Sequence, residues 1–400
     1  MAIAQGFGKT STSGLVFSYD TGDMDNSFKG APKTNLLSAY SRTYGNQSSS
    51  VFKTQYYTRN VFVPTLGLRT VETMETYNDY GGGSGVCCQG AWGFGGSGVS
   101  GSTQYTYSII YRSSSGYTHP NFMYRYEYGS SGYITEGGLH NDGNRTHLGD
   151  GWYHAWGNMT TQPGTTTMYF YFYMYEYSTY NTIDIAGVMF TQGPEILRPR
   201  QFIPFSTTRT STQSLLDLTG NGTINLANVS YTGTGELTFD GTDDYISVSA
   251  IPALAFGTGN FTAEVMIKPT SFSSYTHMVA LRQQDRFALK ANVSDGAIYY
   301  YDPSFTTYGQ TSGWTLSLNQ WNHVVLVRQG GTAYTYLNGI SKGSVGGFNS
   351  NFTETQMNIG WGWGGEFTAK QIAVVKMYNQ ALSSSEVLKN YNHYKTRFNL

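Results

Sequence analysis

Trp361 and Trp363 stand two residues apart in the stretch GWGWGGEF, residues 360–367. Drawn out as a strand, that spacing puts both indoles on one side. The surrounding glycines leave room for a flat ligand, and a sugar ring stacks well on an aromatic face. Upstream, YYYDPSFTTY (299–308) sets Tyr301 beside Asp302, an aromatic platform next to a hydrogen-bond acceptor. Trp361, Trp363, Tyr301 and Asp302 are therefore candidate glycan-binding residues; ordinary packing beside a turn is the competing reading. A third array, MYFYFYMYEY (168–177), alternates strictly. Met168, Phe170, Phe172 and Met174 fall on one face of a strand, and Tyr169, Tyr171, Tyr173 and Tyr175 on the other. The first set carries no polar atoms to satisfy and is expected to face a core. Same-face residues recur about every 6.5–7 Å, so the tyrosine ladder suits a second layer of protein, a partner subunit or an extended saccharide. All three roles are open.

Catalytic groups are harder to find. A retaining glycosidase needs two carboxyl groups about 5–5.5 Å apart. In ETMET (72–76) Glu72 and Glu75 fall on opposite faces of a strand, FTAEVMIKP (261–269) carries Glu264 alone, and Asp243-Asp244 sits where a turn meets a strand. No pair fits, and the chain is expected not to be an enzyme. His140, Asp142, His147, Asp150 and His154 cluster around a hairpin and would bind zinc if they converged; a polar hairpin with surface histidines is the expected reading, with no metal site. No cofactor is expected. Asp240, Asp243, Asp244 and Asp302 are oxygen donors that leave calcium open. The glycine run 81–85 lacks the lysine of a phosphate cradle. Cys87 and Cys88 are adjacent, which strains a mutual disulfide; they read as small buried hydrophobes from a chain made in a reducing cytoplasm.

The elements that must position these residues follow from composition and period. Of 400 residues, 12 % are charged and 16 % aromatic, with 34 Tyr, 49 Gly and a net charge of −1. Low charge with many aromatics and turn formers reads as all-β. A balanced charge with no Lys/Arg run argues against a nucleic-acid partner. No stretch approaches the length of a membrane-spanning helix, and MAIAQGFGKTSTSG has no apolar core of signal-peptide length.

Three regions separate. Residues 1–33 hold one strand-like run, GLVFSYD (14–20), and are too short for an independent domain. Residues 34–208 alternate at strand period in TQYTYSIIYRS, FMYRYEYG, GWYHAWGNMT and the tyrosine ladder. Asp142-Gly143 signals a tight turn, and the glycine-rich residues 81–101 read as a long loop. Residues 209–400 carry short strands at close intervals, as an antiparallel sandwich does. LSSSEVLKNYNHYKTRF is helical, with Ser383 or Ser384 as N-cap and Glu386 in its first turn.

The pieces LLDLTGNGTINL, LTFDGTDDYISV, NFTAEVMIKP, LNQWNHVVLV, TYLNG, MNIG and IAVVKMYNQALSSSEVLKNYN cover nearly all of residues 212–396. In that order they resemble the laminin-G-like, concanavalin-A-like lectin/glucanase sandwich. GLVFSYDTGDMDNSFKG resembles the opening strand that precedes DLTGNG in phage proteins of this kind; roughly 180 residues intervene here, so either a second domain is inserted between the two pieces or strand 14–20 joins the C-terminal sandwich. KTNLL, TYSIIYR, GDGWYHAW, IDIAGVMF and FIPFSTTRTSTQSLLDLTG resemble the carbohydrate-binding-module-like jelly roll of phage structural proteins. The resemblance implies a jelly roll at 34–208 and a laminin-G-like sandwich at 209–400, in a tailed-bacteriophage virion structural protein of fibre or decoration type. It further implies a homo-oligomer bound to other virion proteins through the N-terminal segment, made in the host cytoplasm, with host surface polysaccharide as ligand. A purely structural role and a polysaccharide-degrading enzyme are the alternatives. Head, collar or tail location, copy number and the sugar are not legible.

Overall fold

The computed structural model describes residues 10–24, 26–38, 52–64, 66–78, 88–113, 123–130, 132–138, 144–176, 180–196, 198–203, 206–231, 236–281, 287–304, 306–308, 313–362 and 365–400; within several strands of the middle region it describes the backbone alone. The fold is mostly β, and the chain divides into two compact units. One is residues 1–32 with 210–400; the other is residues 33–209.

The first unit is a sandwich of two antiparallel sheets. Its front sheet runs Ile224–Ala227, Tyr245–Val248, Met357–Ile359, Thr276–Leu281, Phe287–Ala291, Ile298–Tyr301, Thr307–Tyr308. Its back sheet runs Ser230–Tyr231, Leu237–Asp240, Ala369–Tyr378, Phe261–Pro269, Asn322–Gln329, Thr332–Leu337, Ile340–Gly346. Leu237–Asp240 is short and covers only Ala369 to Ile372 of its neighbour. Leu15–Asp20 covers the rest, pairing with Val374 to Tyr378. The N-terminal strand thus completes a sheet edge, and an uncovered edge is a row of unpaired N–H and C=O groups. Alternate residues of both sheets fill one core, including Phe17, Val265, Leu289, Leu326, Ile359 and Val375. Each such side chain contributes about 1.5–3 kcal/mol of apolar burial.

The back of this sandwich carries the helix Ser384–Phe398. Ser383 is its N-cap, accepting from the Glu386 N–H while Glu386 reaches back to the Ser383 N–H, a reciprocal pair that satisfies two end donors. Val387, Asn390, Tyr394 and Phe398 recur at helical spacing and are buried against the sheet. Asn390 is the polar member of that stripe. Its Nδ2 donates to Glu264 Oε2 at 2.7 Å, and the Ser11 N–H donates to its Oδ1 at 2.8 Å.

The second unit, taken by itself, is also a two-sheet antiparallel sandwich. One sheet runs Arg145–Gly149, Trp152–Thr160, Gln104–Ser113, Tyr180–Gln192, Gly67–Asn78, Phe52–Val63; the other runs Leu37–Ser38, Cys88–Ser97, Thr165–Glu176, Met123–Gly129, Gly132–Gly138. Leu37 and Met168 from the second sheet meet Tyr105, Ile109, Ile185 and Phe190 from the first. Residues 88–97 were expected to lie in a loop and instead form a strand beside the tyrosine ladder. The ladder supplies the reason. Tyr169, Tyr171 and Tyr173 lie opposite Gly95, Gly93 and Ala91, so small residues sit where bulky neighbours need space, and pairing overrides the poor strand propensity of glycine.

Candidate functional site

The outer face of the front sheet gathers the chemistry. Phe287, Leu289 and Ala291 point into the core, which leaves Ala288 and Lys290 outside; Ile298 and Tyr300 point in, leaving Tyr299 and Tyr301 outside; Met357 and Ile359 point in, leaving Asn358 outside. Register does the rest. His277 lies opposite Lys290, and Lys290 opposite Tyr299. Asn358 sits between Ser247 and Ala280, and Ala280 lies opposite Ala288. The result is a low floor of two alanines with aromatic and polar side chains beside it.

Lys290 is the centre of one end. Its Nζ stands 4.0 Å from the Tyr275 ring, 5.3 Å from Tyr301 and 5.6 Å from Tyr299, distances at which a cation is attracted to the ring face. Glu366, from the segment after the front-sheet strand Met357–Ile359, reaches in. Its Oε2 accepts from Lys290 Nζ at 3.1 Å and lies 2.5 Å from His277 Nε2. Burial pushes the Glu366 carboxyl up, but the hydrogen bonds and charges of His277 and Lys290 together outweigh it and hold the group below the usual carboxylate range. The Tyr299 hydroxyl moves the other way: burial, then Tyr275 and the Glu366 charge, raise it.

At the other end Trp361 packs 5.2 Å from Tyr245 and stacks 6.1 Å from Phe367. Gly362 lies against the His277 ring, where a Cβ would collide with it. That contact ties the Trp361 end to the Lys290 end. Two polar atoms on this face have no hydrogen-bond partner among the described residues, Asn358 Oδ1 and Trp361 Nε1. Asn358 is 3 % exposed. Buried polar atoms are nearly always satisfied, by protein, water or ligand.

The residues singled out in the sequence are placed as follows. Trp361 and Tyr301 both stand on this face; Trp363 lies outside the described residues. Asp302 is buried in its own turn, accepting the Ser304 and Thr306 N–H groups and the Ser350 hydroxyl, so its carboxylate is used in holding the loop. In the other unit, Met168 is buried in the core, whereas Tyr169 is half-buried and meets the Tyr128 ring edge-on at 5.5 Å. The side chains of Tyr171, Tyr173 and Tyr175 lie outside the described residues, as do Cys87 and the side chain of Cys88.

Of the oxygen donors, Asp240, Asp243 and Asp244 come within 4.8 Å of one another, and Asp302 stays in its separate turn. Asp244 Oδ2 accepts the Asp240 N–H, and Asp240 Oδ1 accepts the Thr242 N–H, which are turn contacts. Among the zinc candidates, His147 is exposed and lies opposite Tyr153, while His154 lies opposite Thr146. Neighbouring positions on a strand face opposite ways, so the two diverge. His154 is buried against Ser108, 2.6 Å away, and burial lowers it to about 4. His140 and Asp142 lie outside the described residues.

His277, Lys290, Glu366, Tyr275 and Asn358 escaped the sequence reading. Glu366 is 89 residues from His277 and 76 from Lys290; strand register sets only His277 beside Lys290, and Glu366 comes in from outside the sheet. The one usable signal was alternation in FALKA and GAIYYY, which puts Lys290 and the tyrosines on the face turned away from the core.

Residues 240–388 match the family model described as the concanavalin A-like lectin/glucanases superfamily. No curated protein matches the chain. Among solved structures, the chain is similar to the receptor binding domain of a botulinum neurotoxin C/D mosaic serotype, at 16 % identity over 46 % of this chain and 49 % of that one, with a TM-score of 0.38. The botulinum neurotoxin type G receptor binding domain is 15 % identical over 45 % and 48 %, with a TM-score of 0.35. A Trypanosoma rangeli sialidase mutant displaying trans-sialidase activity is 15 % identical over 44 % and 30 %, with a TM-score of 0.34. The matched stretch is thus about half of the toxin domains and less of the sialidase, and likeness at this level speaks to neither ligand nor activity.

Proposed function

We propose that the chain is a non-catalytic glycan-binding protein whose ligand lies on the outer face of the front sheet. One observation carries this reading: Trp361, Tyr245, Tyr275, Tyr299 and Tyr301 share that face with a cation, a carboxylate and two unpartnered polar atoms. Rings supply stacking surfaces for the apolar side of a sugar, and the polar groups supply direction. The match of residues 240–388 to a lectin/glucanase superfamily supports the same class. Binding is preferred to hydrolysis because Glu366 is held in an ion pair by Lys290 and His277 rather than set across a cleft from a second carboxylate.

The finer reading is a tailed-phage virion component of fibre or decoration type, homo-oligomeric and joined to other virion proteins through its N-terminal segment. Its support is the order of the three sequence pieces that resemble such proteins. Many copies of a weak site would then hold a particle on a glycan-coated cell through effective concentration. Leu15–Asp20 is committed to the back sheet, so attachment falls to residues of that segment outside the strand.

The test is an array of bacterial surface polysaccharides probed with the parent chain and with Trp361→Ala, Tyr301→Ala and Tyr169→Ala variants. Loss in the first two supports the front face. Loss in Tyr169→Ala alone moves the site to the ladder, and no binding by the parent as monomer or oligomer leaves a purely structural role.

A further inference from the structure

The ion pair of Glu366 has features of an occupied ligand site. Lys290 and His277 belong to two hydrogen-bonded strands, and register places them side by side. Glu366 does not belong to the sheet. It follows Gly365, which has a positive φ of 75°, and its side chain is 26 % exposed. The fixed half of the contact is therefore a pair of nitrogen donors walled by three tyrosine rings, and the adjustable half is a carboxylate. Glu366 is the most exposed member of the contact, with His277 at 0 % and Lys290 at 9 %, so its carboxylate is the part an incoming carboxylate meets first. On the same face, Asn358 Oδ1 needs a donor and Trp361 Nε1 needs an acceptor. Sugar hydroxyls offer both kinds of partner.

We propose that the Glu366 carboxylate is a built-in stand-in for the carboxylate of an acidic sugar, of the uronic or sialic type. Such a sugar binds by displacing Glu366 from Lys290 and His277. Its ring lies among Tyr275, Tyr299 and Tyr301, and its hydroxyls face Asn358 and Trp361. This deepens the glycan-binding reading and rests on it. No bond is made or broken; one carboxylate exchanges for another. Neutral glycans lack the competing group and leave Glu366 in place, so the site selects by charge as well as by shape.

Calorimetric titration of the full chain tests this with tetragalacturonic acid, its neutral methyl ester, sialyllactose and lactose. The parent is expected to bind at least one acidic probe at least tenfold more tightly than its neutral counterpart. Glu366→Gln keeps the shape and weakens the competitor, so it is expected to tighten acidic binding about tenfold and leave neutral binding unchanged. Lys290→Met, checked for an unaltered melting curve, is expected to abolish the preference. Equal binding of acidic and neutral probes, unchanged by Glu366→Gln, overturns the inference while the glycan-binding reading stands. Weaker acidic binding in Glu366→Gln also overturns it, since Glu366 would then be a ligand contact rather than a competitor. No binding of any probe by parent or variant, on top of a blank polysaccharide array, overturns both.

Discussion

Glu264 Oε1 lies 2.9 Å from His323 Nε2, and each side chain is 1 % exposed. The pair sits under the C-terminal helix, where Glu264 Oε2 also accepts from Asn390 and from the Tyr378 hydroxyl. Lys376 lies opposite Glu264 in the sheet. Burial pushes the Glu264 carboxyl up, yet the Lys376 charge and the His323 and Asn390 contacts outweigh burial and bring it to about 2. Its ordinary value is near 4.5, so between about pH 4.5 and pH 2 the unfolded chain binds a proton that the folded chain refuses. Stability from this group is complete above pH 4.5 and falls by up to about 3 kcal/mol as acid is added through that window. Glu264→Gln leaves Lys376 without its nearest counter-charge and costs about 3–5 kcal/mol at neutral pH. Denaturant melts of parent and variant at pH 7, 4.5 and 3 check both statements, the variant losing the acid slope.

Lys370 gives the opposite dependence. It is buried, burial lowers it to about 7, and Asp244 only partly restores it. Between about pH 7 and its ordinary 10.5 the unfolded chain holds the proton and the folded chain does not, so stability rises with pH. The buried Tyr19, Tyr378 and Tyr394 hydroxyls are raised, and their contribution is lost only above about pH 10. A melt series from pH 7 to 9.5 therefore avoids the tyrosines and reads Lys370 together with Lys376, which burial also lowers. Lys370→Met is expected to flatten the rise; an equal slope in parent and variant would remove Lys370 as its source.

Gly362 has no room for a side chain, because the His277 ring stands where a Cβ would go. Gly362→Ala is expected to displace the ring from Glu366 and to cost about 1–3 kcal/mol by overpacking. Gly98, where a Cβ would meet nothing, has positive φ and serves as a contrast: Gly98→Ala strains backbone only. Thermal melts with the His277 ring signals followed by NMR distinguish the two, since only Gly362→Ala should shift those signals.

Phe17 and Tyr19 are fully buried in the first unit although residues 33–209, the other unit, separate their segment from the rest of it. Phe17→Ala is expected to cost about 3–5 kcal/mol. Removing residues 1–20 bares the edge beside Val374 to Tyr378 and is expected to give an aggregating chain. Light scattering and a melting curve of the truncated protein measure both, and a truncated chain that stays monomeric with an unchanged melt would show the strand to be dispensable.

The strands of the first unit were legible because FTAEVMIKP alternates and NHVVLVRQ carries a short apolar run of strand length, and the helix because Ser383 and Glu386 mark its start. The strand at 88–97 was hidden because its identity lies in its neighbour: glycines suit it only once a tyrosine row is placed alongside. The site was half legible. Trp361 and Tyr301 announce themselves as aromatics near glycine and turn residues. Glu366, His277 and Lys290 do not, since each is an ordinary charged residue until the fold brings it to the others. Asp302 was visible for the right chemistry but serves its own turn, a fate that short loops commonly give to aspartate.

The most direct measurement is hydrogen exchange of the parent chain with and without a bound polysaccharide fragment, read by mass spectrometry. The account predicts slowed exchange in residues 275–281, 287–301, 357–362 and 365–368, the strands and segment of the front face. Slowing confined to residues 123–138 and 165–176, around the tyrosine ladder, would contradict it and move the binding surface to the other unit.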